Sequence, residues 1–188
     1  MIRLDTEEEK VEISLSTKII TLKEDPIALK DVAEILEQIK VCILDCEAEE
    51  SLAVVKWLFE KVSMRNDPEI KKDFALFSKG IYYAKLGKNI GSEIEKDRPC
   101  ILISSTSKSE VAVVVPISDE DKYIGSTFWF HVPINDVGTA LVEQIRTISK
   151  GRIRRPLKIG NKIKEISESE RISINQAIDK LKLQPKRA

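Results

Sequence analysis

The sequence predicts an α+β protein: a mostly helical N-terminal part, then a small, strongly bent sheet or barrel, then a last helix. Three observations predict it. Apolar residues recur at three-to-four spacing in the first half of the chain, and five short β-type runs follow with turn residues and no helix between them. The charge also changes sign along the way. Residues 1–78 hold 11 Lys/Arg against 18 Asp/Glu, net −7, and residues 79–188 hold 20 against 13, net +7, so the formal net charge of zero conceals two parts of opposite sign. The division reads as an acidic helical extension over residues 1–76 and a second domain over residues 77–188.

Val11, Ile13 and Leu15 alternate with polar residues and fit one early strand. Asp25-Pro26 is a helix start, with an acceptor side chain at the cap and a proline whose missing N–H costs nothing there. Leu29, Val32, Ala33, Leu36 and Ile39 then give one apolar face. A second helix is expected over Ala48–Met64, with Leu52, Val55, Leu58, Phe59 and Val62 as its buried side, broken at Arg65-Asn66-Asp67-Pro68. Cys42 and Cys46, four apart on the first helix, are expected in its core.

From Phe77-Ser78-Lys79-Gly80 onward the strand-like runs are Ile81–Leu86, Pro99–Ser104, Val111–Ile117, Thr127–Val132 and Leu141–Ile148. Turn chemistry separates them, at Gly87–Gly91, Ser104–Ser109, Asp119–Asp121 and Asn135–Gly138. Successive strands without helices argue for a bent sheet or barrel. Ser167 and Glu170 make a capping box before an apolar stripe of Ile174, Ala177, Ile178 and Leu181. The tail Lys182–Ala188 reads as a frayed basic end.

Composition narrows the function classes. A chain of 188 residues with 33% charged and 42% hydrophobic residues is globular and long enough to bury a core. The longest apolar runs fall far short of a membrane span. MIRLDTEEEK puts acids where an export signal needs an apolar stretch, so the expected location is the cytoplasm. Three cysteines cannot all pair and form no metal-ligand cluster, and a single histidine, His131, excludes a His-rich metal site. No metal and no cofactor are expected. The basic half is the one to match with an anionic partner.

Within it, Gly80–Ser104 reads as a strand, a glycine-containing polar loop and a second strand opened by Arg98-Pro99, which puts the arginine at the loop–strand junction. Left alone, Arg98 would pair with Glu95 or Asp97. Val113-Val-Val-Pro-Ile-Ser118 ends a strand on a hydroxyl, and Glu143-Gln-Ile-Arg-Thr-Ile148 puts Gln144 and Arg146 on one face of one strand. His131 reads as a satisfied structural residue, Trp129 as core or dimer surface with base stacking as the alternative, and Lys150–Arg155 as a solvated basic edge with phosphate contact as the alternative.

The pattern G-x-Y-Y…G-S-E-x(4)-R-P…V-V-P-I-[ST]…E-Q-I-R-T-I, spread over residues 79–183, resembles the MazF/PemK family of toxin endoribonucleases. The resemblance implies a small SH3-like β-barrel of the MazF/CcdB plasmid-maintenance-toxin type with a C-terminal helix, working as a homodimer. It implies metal-independent, sequence-specific cleavage of single-stranded RNA, leaving a 2′,3′-cyclic phosphate and a 5′-hydroxyl, and a cognate antitoxin protein as partner. By that resemblance Arg98 and Ser118 are catalytic, while Glu93, Gln144 and Arg146 bind RNA. Two positions depart from the pattern: Ser118 stands where threonine is the more familiar hydroxyl, and Ile81 where an acid is usual. A guanidinium suits the charge that develops on phosphate oxygens, and arginine is a poor base, so the proton acceptor stays open with Glu93 as one candidate. The same barrel also carries non-catalytic toxins, so the alternative is a gyrase-inhibitor-like RNA- or protein-binding module. The acidic extension raises a separate expectation: it masks the basic groove, or it forms the antitoxin or dimer contact.

Overall fold

The computed structural model describes residues 21–66 and 74–181. Val11–Leu15 and the Lys182–Ala188 tail lie outside the described residues. The chain divides into two compact units, Met1–Ser51 and Leu52–Ala188.

In the first unit a single 3-10 turn, Leu22–Glu24, leads into helix α1, Pro26–Leu44. Asp25 caps it, its Oδ1 accepting from the N–H groups of Ile27 and Ala28 at 3.1 and 3.0 Å. The apolar stripe is present but uncovered, with Leu29, Val32 and Leu36 all exposed. Cys42 and Cys46 are exposed too, so among the described residues no core forms around them; Cys46 Sγ instead donates to the Cys42 carbonyl one turn back.

Helix α2, Ala48–Asn66, begins in the first unit and runs mostly through the second. Its expected buried side is a correction. Leu52, Val55, Leu58, Phe59 and Val62 are exposed, Phe59 at 72%. The partly covered line is Ala53, Trp57, Glu60 and Met64, the same helical spacing on a different face. This line meets the sheet with an aromatic ring and a carboxylate, because the surface opposite offers a bare glycine, an arginine and a lysine (below).

The strands are β1 (Ile81–Gly87), β2 (Lys96–Ser105), β3 (Val111–Ser118), β4 (His131–Ile134), β5 (Gly138–Leu141), β6 (Arg146–Ser149), β7 (Ile153–Pro156) and a short hairpin of β8 (Lys158–Ile159) and β9 (Lys162–Ile163). The main sheet has the order β4-β5-β3-β2-β1-β7, with β6 paired to the start of β3. All of its pairings are antiparallel. Register shifts at Lys85/Gly87, Tyr83/Ala84 and Leu102/Ser104 are the bulges that bend it.

That bend gives β1, β2 and β3 a covered surface on both faces, which is why they read as continuous apolar runs. Ile81, Ile101, Val115 and Ile117 belong to one core; Tyr82, Leu86, Leu102 and Val114 belong to the other. The first core is covered by helix α3, Glu168–Lys180, through Ile174 and Ala177, with Ile178 and Leu181 partly buried against it. Its capping box is formed: Ser167 Oγ accepts from Glu170 N–H at 3.3 Å and Glu170 Oε2 accepts from Ser167 N–H at 2.6 Å.

Two strand expectations change. Thr127–Phe130 is not strand; Ser126 Oγ accepts from Phe128 N–H and the Phe128 carbonyl from His131 N–H, so local bonds turn the chain and the strand starts at His131. Leu141–Ile148 is not one strand. A 3-10 turn over Val142–Gln144 separates β5 from β6.

Candidate functional site

Arg98 sits within β2, two residues after that strand begins at Lys96, not at its first residue. Its side chain, 14% exposed, donates from Nε to the Glu95 carbonyl at 3.2 Å, from Nη1 to Asp119 Oδ1 at 2.7 Å and from Nη2 to Glu120 Oε1 at 3.0 Å. The carboxylate partners are therefore those of Asp119 and Glu120, not those of the sequence neighbours Glu95 and Asp97, Glu95 contributing only its backbone carbonyl. They meet Arg98 because β2 and β3 pair Cys100 with Pro116, a register that carries Arg98 toward Ser118 and the residues after it.

Ser118 is 1% exposed, and its Oγ accepts from Glu120 N–H at 3.3 Å. Glu120 thus touches both members of the expected pair. Its carboxyl is held below the usual range, first by the bond from Lys122 and also by Arg98. Ser118 pairs with Thr139 on β5, and Gly138 beside it has φ +145°; a Cβ there would come within 2.3 Å of the Ser118 carbonyl. Only glycine lets the two backbones approach so closely at the hydroxyl.

The other three expected residues lie together. Ser92, Glu93, Glu143, Gln144, Arg146 and Arg152 line a groove of about 710 Å³. Gln144 is fixed by the loop before β2: its Oε1 accepts from Ile94 N–H at 2.9 Å and its Nε2 donates to the Ser92 carbonyl at 3.0 Å. Arg146 Nη2 donates to the same Gln144 Oε1 at 3.0 Å. Glu143 is turned to His131, which sits between it and Ser126 at 3.2 and 2.8 Å, so both ring nitrogens have partners. Trp129, 62% exposed, has Lys180 over its ring.

The basic stretch 150–155 is more than a solvated edge. Arg152 donates to the carbonyls of Lys85 and Leu86 and stacks on Trp57 of α2, 5.2 Å from the ring centroid. Arg155 lies over Tyr83, and Lys150 Nζ donates to the Thr106 carbonyl. Burial, then the nearby Arg146, depress the pKa of Arg152. Although Glu93 and Glu143 line the same groove, among the described residues neither Arg146 nor Arg152 has a carboxylate partner. Burial pushes the Cys100 thiol beneath them up to about 12, with both arginines pulling the other way.

Sequence reasoning missed Asp119, Glu120, Trp57 and Arg152. The first two were signalled only by following the Ser118 hydroxyl directly. Nothing in the sequence separates Arg152 from Arg154 and Arg155.

No curated protein matches the chain. MazF (Form-I) from Deinococcus radiodurans is similar at 14% identity and a TM-score of 0.47, over 58% of this chain and 97% of that one. An endoribonuclease in complex with its cognate antitoxin from Mycobacterial species is similar at 18% identity and 0.43, over 59% and 99%. The MazE–MazF complex (Form-II) from Deinococcus radiodurans gives 14% and 0.43, over 58% and 96%. Residues 78–181 match the family described as PemK-like, MazF-like toxin of type II toxin–antitoxin systems, and the chain belongs to that family.

Proposed function

We propose that this chain is the toxin of a type II pair and a metal-independent endoribonuclease, cutting single-stranded RNA at a short sequence. The observation that carries the reading is the groove: Glu93, from the loop before β2, shares one surface with Gln144 and Arg146, from the turn and strand beyond β5, and with the Arg152 guanidinium. An RNA backbone is the polyanion such a surface suits.

In the reaction, the 2′-oxygen attacks the adjacent phosphorus. The O2′–P bond forms, the P–O5′ bond breaks, and the ends are a 2′,3′-cyclic phosphate and a 5′-hydroxyl. Arg98 stabilises the charge on the phosphate oxygens with the N–H groups its carboxylate partners leave available. Ser118 adds a hydrogen bond on the same side. The 2′-hydroxyl proton passes to a carboxylate, either Glu93 on the groove or Glu120 against Arg98, and the 5′-oxygen takes its proton from water. A second copy of the chain and an antitoxin protein are the partners this reading brings with it.

Incubation of the full chain with mixed single-stranded RNA in excess EDTA tests it. Discrete cuts bearing cyclic phosphates, lost in Arg98→Ala, are expected. RNA that is bound but left intact establishes instead the non-catalytic binding module, which the pairing of Arg98 with Asp119 and Glu120 favours.

A further inference from the structure

Beside the groove lies a second cavity of about 290 Å³, walled by Trp57, Lys61, Met64 and Arg65 of α2 and by Ser149 and Arg152. Three of these side chains are cations, none is a carboxylate, and the remaining side chains are an indole, a thioether and the Ser149 hydroxyl. Arg152 lines both spaces, so the cavity continues the groove. Helix α2 lies outside the matched segment 78–181, which makes this cavity a feature of this chain's extension.

The indole is held in place. Gly87 has φ +86°, and a Cβ on it would fall 2.0 Å from the Trp57 ring, so the ring rests on bare backbone. Glu60, one turn on, pairs with Lys85 at 2.7 Å, and Arg152 stacks on the ring from the sheet side. An aromatic side chain fixed among cations at the end of a basic groove is the combination by which proteins take single-stranded nucleic acid: bases pack on the ring and phosphates on the charges.

We propose that this cavity is a nucleotide subsite: it takes one base of a single-stranded RNA against the Trp57–Met64 wall and the flanking phosphate on Lys61 and Arg65, extending the strand that crosses Arg146 and Arg152. The inference rests on the RNA-binding reading of the groove. It also opposes the masking expected of an acidic extension. The overall −7 of residues 1–78 is not the charge that the end of α2 presents here, where Lys61 and Arg65 line the cavity and the nearest carboxylate along the helix, Glu60, is paired with Lys85.

The test uses the full chain and mixed-sequence single-stranded RNA, short and long, made uncleavable by 2′-O-methylation, with affinity followed by fluorescence anisotropy over a salt series. Lys61→Ala/Arg65→Ala, both exposed positions, is expected to weaken the long probe about tenfold and to flatten its log–log salt slope by about 1.4, two cations at about 0.7 each. The short probe, which fills only the groove, is expected to bind as before. Lys56→Ala, on the same helix but outside the cavity, changes neither. Trp57→Phe retains affinity and Trp57→Ala loses about tenfold, with circular dichroism and thermal melting confirming that α2 stays formed. If the double variant binds the long probe with unchanged affinity and slope while Arg146→Ala weakens both probes, the subsite is wrong and the groove stands. If the unaltered chain binds neither probe, both readings fall.

Discussion

Arg98 and Arg146 both reach out from strands of one sheet, yet their surroundings are opposite. Arg98 is almost covered and balanced by Asp119 and Glu120. Arg146 leans on a neutral amide, beside Arg152, which leans on neutral carbonyls. A guanidinium between carboxylates is fixed in orientation and contributes little long-range field. Two guanidiniums bonded to neutral acceptors keep their field and repel one another until an anion arrives. On the proposed reading the difference is a division of labour: the Arg98 corner would supply geometry at one phosphate, and the Gln144–Arg146–Arg152 groove attraction for a chain of them.

The sharpest way to break that division is to truncate one arginine from each side. Arg98→Ala is expected to lower the cleavage rate by about 10²–10³-fold with little change in the salt dependence of RNA binding. Arg146→Ala is expected to do the reverse, weakening binding and flattening the salt slope by about 0.7 while saturating cleavage falls much less. Equal loss in rate and slope from both variants would erase the distinction.

What the sequence revealed and what it hid follow the same line between local and distant causes. Asp25-Pro26 and Ser167-x-x-Glu170 mark helix ends because the cap and its N–H groups lie within three residues of each other. Val111–Ile117 announced its strand because both of its faces are covered. The aromatic alternation at Phe128-Trp-Phe-His misled because a serine hydroxyl two residues earlier turns the backbone. The face of α2 misled for another reason: periodicity finds the aliphatic stripe, but Gly87, Lys85 and Arg152 determine which face docks. Gln144 and Arg146 were expected as strand neighbours. They are neighbours across the end of a 3-10 turn, so the pairing was legible and the backbone that makes it was not. The Asp119–Glu120 clamp on Arg98 needed the β2–β3 register.

Glu120 offers a finer cut through the Arg98 corner, because it contacts Arg98 and Ser118 while Glu93 lies on the groove. If Glu120 takes the 2′-hydroxyl proton, Glu120→Gln lowers the rate by about 10²-fold and removes the acid limb of the pH–rate profile. That limb is expected below the ordinary carboxylate range, because Lys122 and Arg98 hold the group low. If Glu120 only orients Arg98, Glu120→Gln keeps the limb and Glu93→Gln removes it. Rate against pH for the two variants decides between them.

The smallest effect belongs to neither region but to the helix behind them. Glu170 joins the two ends of its cap: Oε2 accepts from Ser167 N–H at 2.6 Å and Oε1 from Asn135 N–H at 2.7 Å, tying α3 to the turn between β4 and β5. Burial alone would raise its pKa, but these backbone bonds outweigh it and the carboxyl is held below the ordinary value. The folded state therefore binds this proton less readily than the unfolded chain does. The stabilisation is complete above the unfolded pKa, near 4.3, and is lost as pH falls through the lower folded value. Glu170→Gln keeps the shape but not the charge, and is expected to cost about 1–2 kcal/mol at neutral pH. Its deficit should shrink toward zero as the medium is acidified through that window, because protonation makes the natural side chain equally neutral. Because Glu170 lies outside both arginine sites, RNA affinity and its salt slope should be unchanged in the folded variant. Urea melts at neutral and acid pH measure the first expectation. A deficit that stays constant across the window would mean that shape, not charge, holds α3 to the sheet.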